Sequence, residues 1–372
     1  MIYLHIPFCK SFCLYCDFYS EICNGFEAKY PEAVLREING REKEIANNVS
    51  ASALAGADTL YIGGGTPSVL PLESLRTIVD RLGEIRGGKP YDEFTVEVNP
   101  EDIAQKGIDY VRGLKAMGAD RISMGVQSFD DGMLRWMNRR HSAEGAVQAF
   151  SLLRKGGFEN ISIDLIFGIS HLTDEMWTST IEKALALGPE HISAYQLSIE
   201  EGSGLAKLVR RGKYTEASEE DCARQYSILC QKLSEAGFNH YEISNFARPD
   251  YEARHNSAYW SRIPYVGLGP GAHSFSVGQK QVRSWNRDSL KDYIEGKDVR
   301  EKEILTGEDL EVESVMLALR TSRGSDNLAD LCPPEKIHEA LQRGDLVRTP
   351  SGNLRIPESR FFVSDSIISS LI

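Results

Sequence analysis

No apolar run in the sequence approaches the roughly 20 residues that a bilayer span requires. The opening "MIYLHIPFC" also lacks the basic-then-apolar pattern of a secretory leader. Both absences point to a cytoplasmic protein. Basic blocks are missing as well: lysine and arginine are scattered through a chain of net charge −12, so no patch suits a phosphate backbone and nucleic acid is not an expected partner. Cysteine is scarce, at seven in 372 residues, and Cys23, Cys222, Cys230 and Cys332 are spaced too irregularly for a disulfide framework. A reducing compartment follows. Yet Cys9, Cys13 and Cys16 all fall within "CKSFCLYC", a concentration that calls for a chemical reason.

What is present is a regular alternation. The runs "IYLHI", "DTLYIG", "EFTVEV", "RISMGV", "ISIDLIF" and "HISAYQL" read as strands. Between them lie amphipathic stretches at 28–46, 72–85, 103–117, 143–155 and 174–187, bounded by Gly, Pro, Asp or Ser. Alternation of this kind implies an α/β fold with a parallel sheet and right-handed crossovers. Polar residues at the carboxyl ends of the strands (Gly64, Gly65, Thr66, Glu97, Asn99, Gln127), with Asp164 inside the fifth, favour a barrel with its site at that mouth. Any one of them could simply cap a helix; the whole set is not explained that way.

The pattern loosens after the sixth strand into a charged helical segment at 205–236 and a Gly/Pro/aromatic region at 240–286. From residue 310 come a helix "LEVESVMLALR", a second helix near 335–343, a hairpin "DLVRTPSGNLRI" and a last helix. That order suggests a small winged-helix-like α+β domain. Residues 308–372 hold eleven acidic and seven basic residues, a net of −4, so packing or interaction is preferred there over DNA binding. Three units are expected: a barrel over 1–200, an extension over 201–307 and the C-terminal domain over 308–372.

Soft thiolates suit iron–sulfur clusters, and three cysteines on one tight loop can hold three corners of a cubane while leaving one iron open to a small molecule. Structural zinc with His5 as fourth ligand is the competing possibility. It lacks a second knuckle, and His5 lies inside a strand.

With Tyr15 just before the last cysteine, C-x3-C-x2-C after a first strand resembles the radical SAM superfamily. "GGGTPS" at 63–68 resembles its glycine-rich segment. More closely, "YLHIPFCKSFCLYCDF", "YIGGGTPS", "VEVNPED", "RISMGVQSFD", "ISIDLIFG" and "HISAYQLSIEEGS" follow the order of the coproporphyrinogen-oxidase-like branch, the HemN and HemW proteins, densely over the first two thirds of the chain. The resemblance implies a partial (β/α)6 TIM-like barrel. It also implies a [4Fe–4S] cluster on Cys9, Cys13 and Cys16, with S-adenosylmethionine (SAM) contacted by Tyr3, Tyr15, Gly64, Gly65, Thr66, Glu97, Gln127, Arg139 and Asp164. In this family the reduced cluster cleaves SAM to methionine and a 5′-deoxyadenosyl radical, so an electron donor is an implied partner.

Two functions divide this branch. HemN-type proteins are oxygen-independent coproporphyrinogen III oxidases of porphyrin biosynthesis, whereas HemW-type proteins bind heme and deliver it to acceptor proteins. Residue 18 is Phe where the oxidase pattern continues to a further cysteine, and only eight residues precede Cys9, leaving no N-terminal arm to enclose a porphyrinogen. "RHNSAYW" at 254–260 matches the HNxxYW motif associated with heme in HemW, which makes His255, Tyr259 and Trp260 the candidate heme contacts. Imidazole ligates heme iron and aromatic rings pack on porphyrin faces. His273, in a glycine-rich loop, is a lesser candidate. A heme chaperone is therefore the expected function, with the oxidase and a zinc-stabilised scaffold as alternatives.

Overall fold

The computed structural model describes residues 1–23 and 25–372. All six runs are strands: β1 (Ile2–Ile6), β2 (Thr59–Gly64), β3 (Glu93–Val98), β4 (Arg121–Gln127), β5 (Asn160–Phe167) and β6 (His191–Gln196). They lie side by side in chain order, and every neighbouring pair is parallel. Parallel neighbours cannot be joined by a hairpin, so each connection crosses over through helix. The crossovers are α1 (Tyr30–Gly40) and α2 (Glu42–Leu54), α3 (Leu72–Ile85), α4 (Pro100–Ala116), α5 (Asp131–Trp136) and α6 (Ala143–Lys155), and α7 (Asp174–Ala186). Asp130, Ser142 and Thr173 start their helices by accepting a bond from the backbone N–H three residues on.

The helix expected over 28–46 is in fact two. Arg41 leaves helical geometry at φ −115° and ψ 16°. Its guanidinium is committed there to Glu37, Glu44 and the carbonyl of Gly267. The charged segment likewise divides into α8 (Gly204–Arg210) and α9 (Glu219–Glu235).

The sheet then grows at both edges. A hairpin of β7 (Asn239–Glu242) and β8 (Asn245–Ala247) pairs antiparallel with β6, while β9 (Val266–Leu268) runs parallel to the far side of β1. The order is β9-β1-β2-β3-β4-β5-β6-β8-β7, an open (β/α)6 barrel with added edge strands. Between β8 and β9 the short helix α10 (Arg254–Trp260) reaches the amino ends of the strands: the backbone N–H groups of Arg254 and His255 donate to Glu93 at the start of β3.

Barrel interiors are ordinarily filled by branched apolar side chains. Here the alternation is inverted. On β4, Ile122, Met124 and Val126 are fully buried in the apolar core, whereas Arg121, Ser123, Gly125 and Gln127 face the interior. The strands thus bury apolar area of about 25 cal/mol per Å2 behind them and leave a polar shaft in front.

Beyond β9, His273–Val277, Gln281–Asn286 and Arg300–Ile304 form an antiparallel sheet. Helices Gly307–Leu319 and Pro334–Arg343, the pair Val347–Arg348 with Leu354–Arg355, and helix Ser364–Leu371 follow in the expected order. This segment continues from the β7 edge through a bridge between Glu242 and Thr321 and a 2.9 Å bond from Ser322 N to Tyr241 O. Among the described residues no helix is long and apolar enough to cross a membrane.

Candidate functional site

A cavity of ≈ 590 Å3 opens at the carboxyl ends of the strands. Its walls bring together Cys9, Cys13, Cys16, Tyr15, Gly64, Gly65, Thr66, Glu97, Gln127, Arg139 and Asp164, residues spread over more than 150 positions of sequence. Tyr3 is not among them. Its hydroxyl bonds His5 Nδ1 at 3.0 Å, and its ring packs beside Tyr61.

The cysteine loop is pinned by backbone rather than by its thiols. Leu14 N donates to Met137 O at 3.1 Å, Leu205 N to Leu14 O at 2.8 Å, and Asn138 Nδ2 to Phe12 O at 2.6 Å. All three cysteines are free thiols. Arg139 reaches across from the α5–α6 connection: Nη1 lies 3.2 Å from Cys13 Sγ, and Nη2 donates to Asn99 Oδ1 and to Gly125 O, each at 2.6 Å. Burial pushes the Cys9 thiol up and the Cys16 thiol up to about 11, with the neighbouring cysteines adding to both shifts. A cationic centre relieves the burden on Cys9 and Cys16, since metal ligands bind deprotonated.

A cubane and a single ion ask different arrangements of their ligands. Among the described residues no three His, Cys, Asp or Glu side chains converge on one point as the ligands of one metal do. A cubane asks instead for sulfurs set apart around a space, each bonding a different iron. The expected zinc alternative fails on His5, whose ring nitrogens are both spent, one on Tyr3 and the other on Tyr19 O at 2.8 Å.

The glycine segment is shaped by close approach. A Cβ on Gly65 would stand 2.7 Å from Phe8 O and 3.0 Å from Cys9 Sγ. Gly64 has φ +108°, which side chains disfavour. Strain recurs at Gln127, which has φ +68° just after a register shift between β4 and β5. A bulge of this kind re-aims a side chain, and held strain of this kind clusters at functional sites.

Two carboxylates stand deeper. Glu97 accepts from Tyr61 OH at 2.7 Å and Gly64 N at 3.1 Å, and Asp164 accepts from Ser123 Oγ at 3.1 Å. Burial is the largest influence on both, raising Asp164 and pushing Glu97 up to about 7 from 4.5. A carboxyl raised in the fold contributes stability that is present below its unfolded value and lost as pH rises through the folded one. Glu97→Gln removes that loss. Relative to the parent, the variant's unfolding free energy should therefore rise between pH 4.5 and about 7 and level off above. Urea unfolding of both proteins at pH 5, 6, 7 and 8 measures it; a difference independent of pH would show that Glu97 is ionised throughout.

The HNxxYW segment is placed differently from expectation. His255 is 1% exposed inside the amino end of the barrel. Its Nδ1 lies 2.7 Å from Thr59 Oγ1 and its Nε2 2.9 Å from Tyr259 OH. Burial lowers it well below the usual histidine range. A neutral imidazole has one acceptor nitrogen, and here a hydroxyl occupies it in either tautomer. In this conformation His255 offers no lone pair to iron; it plugs the barrel floor. Tyr259 is bound into the same network. Trp260 lines a second cavity of ≈ 290 Å3 with Glu242 and Arg320, and its Nε1 is buried without a partner. His273 is exposed, stacked on Trp285, and outside both cavities.

Sequence reasoning did not single out Tyr61, which anchors Glu97, or Arg121 and Ser123, which line the shaft. Position was the available signal, since they share the inward phase with Glu97 and Gln127.

An open (β/α)6 barrel with a three-cysteine loop and a glycine segment at its mouth is the arrangement of a radical SAM protein, and residues 3–184 match the Radical SAM superfamily. The chain belongs to that superfamily. Within it the chain belongs to the family of the HemW proteins. It is 36% identical to the heme chaperone HemW of Synechocystis sp. over 87% of this chain and 78% of that protein. It is 33% identical to the heme chaperone HemW of Mycobacterium tuberculosis over 100% of this chain and 94% of that one. The fold is that of the solved coproporphyrinogen III oxidase HemN of Escherichia coli, with a TM-score of 0.77 and 21% identity over 99% of this chain and 89% of that chain.

Proposed function

We propose that this radical-SAM-type [4Fe–4S] protein binds heme and delivers it to acceptor proteins. Similarity to heme chaperones over the whole chain carries the reading. Phe18 supports it: where the oxidase pattern continues to a further cysteine, this chain places an aromatic ring, 74% exposed, at the cavity rim. The likeness to HemN speaks for the fold and carries no activity.

In this reading Cys9, Cys13 and Cys16 hold the cluster, and Tyr15, Gly64, Gly65, Thr66, Glu97, Gln127, Arg139 and Asp164 hold SAM, with Tyr3 outside the cavity wall. When bound, cluster and SAM supply one-electron reductive chemistry. The chain's residues position and shield. Gly64 and Gly65 admit the ligand to the backbone, while Glu97 and Asp164 suit an ammonium and ribose hydroxyls. Arg139 brings a positive charge beside Cys13 while tied to Asn99 and the Gly125 carbonyl at the strand ends. His255 and Tyr259 set the barrel floor, so heme is not placed on that imidazole. The expected partners are heme, a heme-accepting protein and an electron donor for the cluster. Residues 1–200, 201–307 and 308–372 form barrel, extension and C-terminal domain.

The test is an anaerobic titration of the cluster-loaded chain with heme, followed at the Soret band and then by addition of an apo-heme protein. Saturable binding followed by transfer is expected. A cluster-loaded chain that takes up no heme saturably would overturn the proposal.

A further inference from the structure

A protein surface can recognise heme by its iron, which takes an imidazole, by its flat apolar ring and by its two propionates. Six of the eight histidines have a ring nitrogen engaged. His5, His191 and His255 have both engaged, His141 is bonded to Val126 O, His240 to Ile243 O, and His338 to Gln342. His171 and His273 are exposed and make no ring hydrogen bond among the described residues. The ring of His273 lies flat on Trp285 at 22°, and the nearby cation Arg283 is spent on Glu303 and Glu313.

His171 has different surroundings. It sits in the loop after β5, at the mouth end of the barrel, where Trp136 meets it edge-on with ring centroids 4.7 Å apart at 79°. Met137, next in the chain, accepts the bond from Leu14 that pins the cysteine loop. An axial imidazole stands perpendicular to a porphyrin, so the half-buried Trp136 is turned as a ring lying flat on that porphyrin would be. Buried Tyr214 backs both rings, and its hydroxyl accepts from Ser170 N at 3.2 Å. Directly before Tyr214 runs "KLVRRGK", residues 207–213, four cations without an acid in a chain of net charge −12. Lys207, Arg211 and Lys213 are exposed and have no side-chain partner among the described residues. Of the acids that follow the loop, Asp174 is paired with Arg224 and Glu175 is bonded to Thr173.

We infer that heme docks on this face, with His171 as ligand to its iron, Trp136 against its ring, and Lys207, Arg211 and Lys213 toward its propionates. The inference rests on the heme-chaperone reading and locates its cargo. Partial burial lowers His171 below the usual histidine range, which keeps the imidazole neutral and able to ligate at pH 7. Cations pair with carboxylates at the exposed edge. The face lies outside both cavities, open to a protein that takes the heme over.

Ferric heme and its dimethyl ester, whose propionates carry no charge, are titrated anaerobically into the cluster-loaded chain and followed at the Soret band and by electron paramagnetic resonance. His171→Ala should weaken heme binding about tenfold or more and change the ferric-heme signal, whereas His273→Ala should leave both at parent values. Both sites are exposed, so far-UV circular dichroism and Tm should match the parent. Lys207→Glu with Arg211→Glu should weaken binding of heme and spare the ester. Unchanged affinity and signal in His171→Ala, loss in His273→Ala instead, or equal charge effects on heme and ester would overturn the inference and leave the heme-chaperone reading in place. A parent chain that takes up no heme would overturn both.

Discussion

Cys13→Ser should leave a folded chain that no longer assembles a full cluster, with the brown absorbance and the bound iron and sulfide of the reconstituted protein lost together. The loop is held by backbone bonds at Leu14 and Phe12, not by the thiol, so its course should survive the exchange. What changes is the donor: a hydroxyl is a hard and weakly acidic ligand that does not replace a thiolate on iron. Far-UV circular dichroism should match the parent while the visible spectrum does not. Retention of a complete four-iron cluster in the variant would remove Cys13 from the ligand set.

His255→Ala should destabilise the protein by about 3–5 kcal/mol, the range expected when a buried side chain leaves a cavity and strands polar partners. The partners are Thr59 and Tyr259, both paired with the ring, and the ring also packs 5.1 Å from that of Tyr61. Heme uptake by the protein that remains folded should change little. Urea unfolding beside a heme titration separates the roles: lost heme binding at unchanged stability would make His255 a ligand rather than a plug. Asn256, next in the chain, lines both cavities, so structural damage at this position would also disturb the wall between them.

The strands and crossovers were legible because their signals are local. Period-two alternation marks β4, and capping residues such as Ser142 and Thr173 mark helix starts. The mouth of the site was legible too, since parallel strands bring Gly64, Glu97 and Gln127 to one end whatever the details of curvature. The floor was not. A strand that is polar inward and apolar outward has the same pattern as one with a solvated face, so nothing in the sequence marks Arg121 as an interior residue. His255 shows a similar limit. A seven-residue helix specifies a face, but not that β2 and β3 will close over it. Arg41 broke a continuous helical pattern because its partners include Gly267, 226 positions away.

The most direct measurement is mass-spectrometric analysis of coproporphyrinogen III incubated anaerobically with the cluster-loaded protein, SAM and a reductant, alongside an active oxidase. No decarboxylated product from a preparation that binds heme saturably is the expected result. Catalytic decarboxylation would contradict the heme-chaperone function and make this chain an oxidase despite Phe18.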